Sequence, residues 1–68
     1  MRITANGKEL IIARIKKGFT TSDMARLVGI SPQGYGQIER KISGASPGTS
    51  KRICDILELP FEKIFKAK

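Results

Sequence analysis

The stretch from Phe19 to Ile42, FTTSDMARLVGISPQGYGQIERKI, constrains the fold more than any other, because it divides into two short helical patterns around one glycine. Thr20 is a good N-cap, and Asp23 three residues later places an acid near the positive end of the helix it helps to start. Met24, Ala25, Leu27 and Val28 follow at helical spacing, which predicts their burial. Gly29 takes the left-handed conformation at a helix end without steric cost, and Ile30 is positioned to plug the inside of the turn. Ser31 and Pro32 then supply a capping hydroxyl and a ring whose fixed φ suits the first helical position. In the second helix Tyr35, Ile38 and Ile42 define one face expected to be buried, and the opposite face carries Gln33, Gly36, Gln37 and Arg40.

The remainder of the chain reads as support for this unit. Residues 1 to 5 carry no capping or periodic signal, although Met1 and Ile3 could lie as an extended segment against the domain. Asn6 with Glu9 has the spacing of a capping box and predicts a first helix from about Gly7 to Lys17, ended by Gly18. Its apolar surface is wider than one stripe needs, so Ile11 or Ile12 is expected to be partly exposed. KISGASPG is a loop by composition. Ser46 and Pro47 repeat the Ser-Pro start, predicting a helix to about Glu58 that buries Ile53, Ile56 and Leu57 with Cys54 beside them. Pro60 opens a short fifth helix in which Phe61, Ile64 and Phe65 fall at i, i+3 and i+4. These three close the core over the first helix, or offer a homodimer surface, or divide the two tasks.

Charge and composition exclude most chemistry. Sixty-eight residues bury only about 60% of the surface their unfolded chain exposes, as expected of one small domain. Thirteen Lys and Arg against six Asp and Glu leave a net charge of +7, which favours polyanionic partners, nucleic acid first. One Cys and no His provide no zinc site, no disulfide framework and no histidine-based nucleophile, so no metal, no cofactor, no catalytic residue and no small-molecule ligand are expected. Cys54 reads as a small buried thiol. No apolar run approaches the length of a membrane span, so the expectation is a cytoplasmic protein.

The residues from Phe19 to Ile42 therefore read as a helix-turn-helix. The run from Arg14 through Glu39, with KGFT, Met24 and Ala25, the VGIS turn and QIER, resembles the lambda-repressor-like helix-turn-helix family of Cro and xenobiotic-response-element type regulators. The likeness continues to ELPFEKIF and covers nearly the whole chain. It implies an all-α, compact five-helix DNA-binding domain over residues 1–68, with the helix-turn-helix at about 20–41. By the same resemblance the third helix enters the major groove of double-stranded DNA, with Gln33, Gln37 and Pro32 at base-contacting positions. A Gln amide can pair bidentately with adenine, and Pro offers only apolar contact, for example to a thymine methyl.

Gly36, on the same face, would allow close approach of the backbone; it and Gly34 depart from what a recognition helix usually carries. Phosphate contacts are expected from Thr21, which stands where the family often has Gln, and from Ser31, Arg40, Lys41 and Ser43. The resemblance also implies a partly buried ion pair between Arg14 and Glu39, tying the first helix to the end of the third. Function then follows as sequence-specific transcriptional regulation, of the phage or mobile-element repressor kind, with two copies on a palindromic operator. The alternative is a protein-interaction module, an antitoxin or an antirepressor partner, on the same fold.

Overall fold

The computed structural model describes residues 2–67, so the expected placement of Met1 lies outside them. Five helices are found among the described residues: α1 (Gly7–Lys16), α2 (Thr21–Val28), α3 (Pro32–Glu39), α4 (Pro47–Leu57) and α5 (Phe61–Ile64). A short strand at each end, β1 (Ile3–Ala5) and β2 (Phe65–Ala67), completes the mostly helical architecture. The strands pair antiparallel with Ile3 opposite Ala67 and Ala5 opposite Phe65, and the Ala45 amide adds a bond to the Ile3 carbonyl at 2.9 Å. The extended lie expected of Ile3 is thus a paired strand. No helix among the described residues is long and apolar enough to cross a membrane.

Local chemistry sets three of the helix starts. Thr20 and Asp23 form a reciprocal capping box, each side chain accepting from the other's backbone amide at 3.0 and 2.9 Å. Ser31 and Ser46 each accept from the amide three residues on, with Pro at the first helical position. Gly29 ends α2 at φ 88°, in the left-handed region. The capping box expected at Asn6 does not form. The Asn6 amide donates instead to the Ile64 carbonyl at 2.6 Å, and Glu9 lies 3.9 Å from Lys63. A tertiary bond has taken the donor that the local motif required.

The core joins Leu10 of α1, Met24, Ala25 and Val28 of α2, Tyr35 and Ile38 of α3, and Ile53, Cys54 and Leu57 of α4. Ile3, Ala5, Ile64 and Phe65 seal it from the terminal end. Ile30 from the turn and Ile56 from α4 pack partly buried against it. Burial raises the pKa of the Cys54 thiol, as suits an apolar-environment cysteine.

Three expectations about apolar residues are corrected. Ile42 does not extend the buried face of α3: the helix stops at Glu39, Lys41 turns to φ 62°, and Ile42 is 61% exposed. Leu27 of α2, expected to be buried, is 47% exposed. The proposed dimer surface of Phe61, Ile64 and Phe65 is largely unavailable, since Ile64 and Phe65 are buried and Phe65 has left the helix for β2. Phe65 stacks on half-buried Phe61 with ring centroids 5.6 Å apart, so the cluster closes the core.

Candidate nucleic-acid interface

α3 stands on α2, and its inward face is Tyr35, Ile38 and Glu39. Glu39 is the unusual member, a carboxylate buried on a helix face, and Arg14 answers it from α1. The Arg14 Nε donates to Glu39 Oε2 at 2.8 Å, and Arg14 Nη1 donates to the Phe19 carbonyl at 2.9 Å. One guanidinium therefore fixes both the end of α3 and the approach to α2. Gly7 permits this closeness, because a Cβ there would lie 2.5 Å from the Glu39 carbonyl oxygen. The Tyr35 hydroxyl is buried with no hydrogen-bond partner among the described residues; burial first, then Glu39, push its ionisation far above the ordinary phenol range.

Anchored on that side, α3 turns Pro32, Gln33, Gly36 and Gln37 to the other. Pro32 and Gln33 are exposed, while Gly36 and Gln37 are half-buried. Gln37 is held: its Oε1 accepts from the Ser43 hydroxyl at 3.2 Å, and its backbone carbonyl accepts from the amides of Ile42 and Ser43. The Gln37 side-chain NH2 is thereby the part left to meet a ligand. Ser43, expected at phosphate, has both its donors turned toward Gln37. Sequence reading missed this, since a contact six residues apart across a loop leaves no periodic signal.

The remaining expected contacts surround this face unevenly. Arg40 and Lys41 are exposed just past α3, and the Arg40 guanidinium lies near Gly36, where an added Cβ would meet it at an ordinary 3.8 Å. Ser31 is exposed at the other end; its oxygen caps Gly34, which leaves the hydroxyl proton free to donate outward. The α2 start is less open than expected. Its capping box occupies the amides of Thr20 and Asp23, leaving those of Thr21 and Ser22, and Asp23 adds negative charge where a phosphate would approach. Arg26 offsets part of that charge at 3.3 Å. Arg52 of α4 donates to the Val28 carbonyl at 3.1 Å and so closes the far end of α2.

An arginine-clamped pair of helices with one amide-bearing outer face defines a helix-turn-helix protein. The helix-turn-helix family model matches residues 10–64, and the chain belongs to that family, a class of DNA-binding transcriptional regulators with no enzymatic activity. Three solved structures share the fold. The master regulator for biofilm formation SinR, solved in complex with DNA, superposes with a TM-score of 0.73 at 21% identity, over 82% of this chain and 90% of SinR's. The clp gene regulator ClgR from C. glutamicum gives 0.71 at 25% identity, over 82% of this chain and 73% of its own. The transcriptional regulator VanUg gives 0.74 at 18% identity, over 100% of this chain and 89% of its own. No match was found among curated proteins.

Proposed function

We propose that residues 1–68 act as a single sequence-specific DNA-binding domain that places α3 in the major groove and represses transcription by occupying an operator. The observation that carries this reading is the two-sided construction of α3, with Tyr35, Ile38 and Glu39 buried on one side and Gln33 and Gln37 presented on the other. A groove wide enough for a helix shows each base pair as a distinct set of donors and acceptors, and glutamine amides can read such a set. Gln33 and Gln37 are the base-reading residues, with Pro32 in apolar contact and Gly36 allowing close approach. Thr21, Ser31, Arg40 and Lys41 hold phosphates, and Ser43 aims Gln37. The net charge of +7 and the DNA complex of SinR support the choice of partner.

The setting is a Cro-like regulator of a phage or mobile element, acting in the bacterial cytoplasm and on the nucleoid. Two copies sit on a palindrome with half-sites about 34 Å apart, dimerising at least when bound. Selection of bound sites from random duplexes, repeated with Gln33→Ala and Gln37→Ala, tests the reading. Gln33→Ala should relax preference at a particular base pair by about 1–3 kcal/mol for a lost bidentate contact, and Gln37→Ala by less, since its Oε1 is engaged by Ser43. An unchanged preferred site in both variants would remove α3 from the groove.

A further inference from the structure

The outward stripe of α1 is made of isoleucine. Leu10 and Ala13 face the core, whereas Ile12 and Ile15 are 39% and 62% exposed and Ile11 is half-buried. With Lys8 they fall at i, i+3, i+4 and i+7, a single helical face. This face borders a groove of about 710 Å³ between the start of α1 and the end of α3, lined by Lys8, Ile11, Ile12, Glu39, Arg40 and Lys41 among others. The Glu39 carboxylate is engaged by Arg14, and neighbouring Glu9 lies toward Lys63. Lys8, Arg40 and Lys41 form no ion pair with any carboxylate among the described residues. The groove thus joins an apolar strip to three uncommitted cations.

That combination selects among occupants. A DNA backbone could use the cations but has no apolar ridge to lay on the isoleucines. A second copy related by a two-fold axis would bring Lys8, Arg40 and Lys41 toward their own counterparts on a chain of net charge +7. A helix with apolar residues at i, i+3, i+4 and i+7 and carboxylates along its flanks satisfies both demands. We propose that the groove between α1 and the end of α3 is a docking site for an acidic amphipathic helix of a partner protein, and that its occupancy withdraws Arg40 and Lys41 from DNA. The second clause rests on the DNA reading above; the first stands without it.

The test uses the full chain and two displayed libraries of amphipathic helices, identical in their apolar positions but carrying Glu and Asp in one and Lys and Arg in the other. The acidic library should be enriched, and binding of its winners should weaken about tenfold or more with Ile15→Ser and with Lys8→Glu, as expected for loss of one buried anchor or one reversed charge. Both variants should keep the parent's melting temperature, and Ile15→Ser should also keep its affinity for duplex DNA. Equal enrichment of the two libraries, or winners indifferent to Ile15→Ser, would overturn the site. So would self-association of the parent that Ile15→Ser abolishes, which would make a second copy the occupant, or a loss of DNA affinity in that variant, which would make the face part of the DNA contact. A winning peptide should also lower DNA affinity of the parent; if it binds and DNA affinity is unmoved, the competition is overturned and the docking site stands. If the parent binds no duplex sequence preferentially, the DNA reading fails and the libraries still decide the site.

Discussion

The two helices of the helix-turn-helix are held in opposite ways. α2 is specified by its own residues: a capping box at one end, a left-handed glycine at the other, and Met24, Ala25 and Val28 between them. α3 has a single hydroxyl cap and two interior glycines, and its hold on the fold comes from Arg14 of α1, the Gly7 approach and the buried ring of Tyr35. α3 is thus fastened from behind by residues distant in sequence, which leaves its outer face largely free of structural duty. Damage far from that face should therefore disable it more than damage within it.

Glu39→Ala is the severest way to break the contrast. It leaves the Arg14 guanidinium, whose side chain is 14% exposed, without its carboxylate, a change that costs on the order of 3–5 kcal/mol in buried pairs. A domain of this size has little more than that to lose. Urea unfolding should show the loss, with DNA binding disappearing because the fold does; an unchanged midpoint would mean that α3 is not held by the pair. Gly7→Ala should follow at about 1–3 kcal/mol, because its Cβ would displace the backbone at Glu39 and not a yielding side chain. Thermal melting would register it, and a neutral outcome would show that α1 can retreat from α3 freely.

Gly36→Ala acts in the other direction. Its Cβ would meet only the flexible end of Arg40 at 3.8 Å, so the usual gain of about 0.8–1 kcal/mol for replacing an interior helical glycine should appear as a higher melting temperature. If Gly36 serves close approach to DNA, affinity should fall in the same variant. Rising stability with falling affinity would separate the helix's folding requirement from its binding one, and parallel changes would join them.

What could be read from the sequence divides along the same line. Thr20, Ser31, Ser46 and Gly29 act within one turn of chain, so their roles as caps were legible, and they are formed as expected. Asn6 carries an equally good local signal, but the Ile64 carbonyl, remote in sequence, captures its amide. Ile42 fits the period of α3, yet the left-handed turn at Lys41 ends that period early, and nothing in an Arg-Lys pair announces such a turn. The strands were beyond reach because three residues are too few to establish an alternation. Of the candidate interface, Gln33 and Gln37 could be picked out from their polar face, whereas the Ser43 bond that orients Gln37 required coordinates. The Arg14–Glu39 pair was accessible only through family resemblance, since charges twenty-five residues apart do not identify each other.

The smallest expected effect sharpens the comparison through acid titration of α2 alone. The Thr20 backbone amide, then the Thr20 hydroxyl, hold the Asp23 carboxyl below its ordinary value of 3.8, and Lys17 holds Glu58 below 4.5. With folded-state values depressed, the unfolded chain takes up these protons first as pH falls. The stability both groups contribute is therefore fully present above the ordinary carboxylate range and is lost as pH drops through their folded values. The two should separate in salt. Lys17 and Glu58 are exposed and their attraction is screened, whereas the Asp23 bonds are short-range contacts to the adjoining backbone. Melts from neutral to strongly acid pH should show Asp23→Asn flattening the acid limb at low and high salt, and Glu58→Gln doing so only at low salt, with both variants converging on the parent at the acid end. Equal flattening by both substitutions at high salt would mean that the α2 cap works through charge at a distance, and the self-contained helix would then depend on its surroundings as much as α3 does.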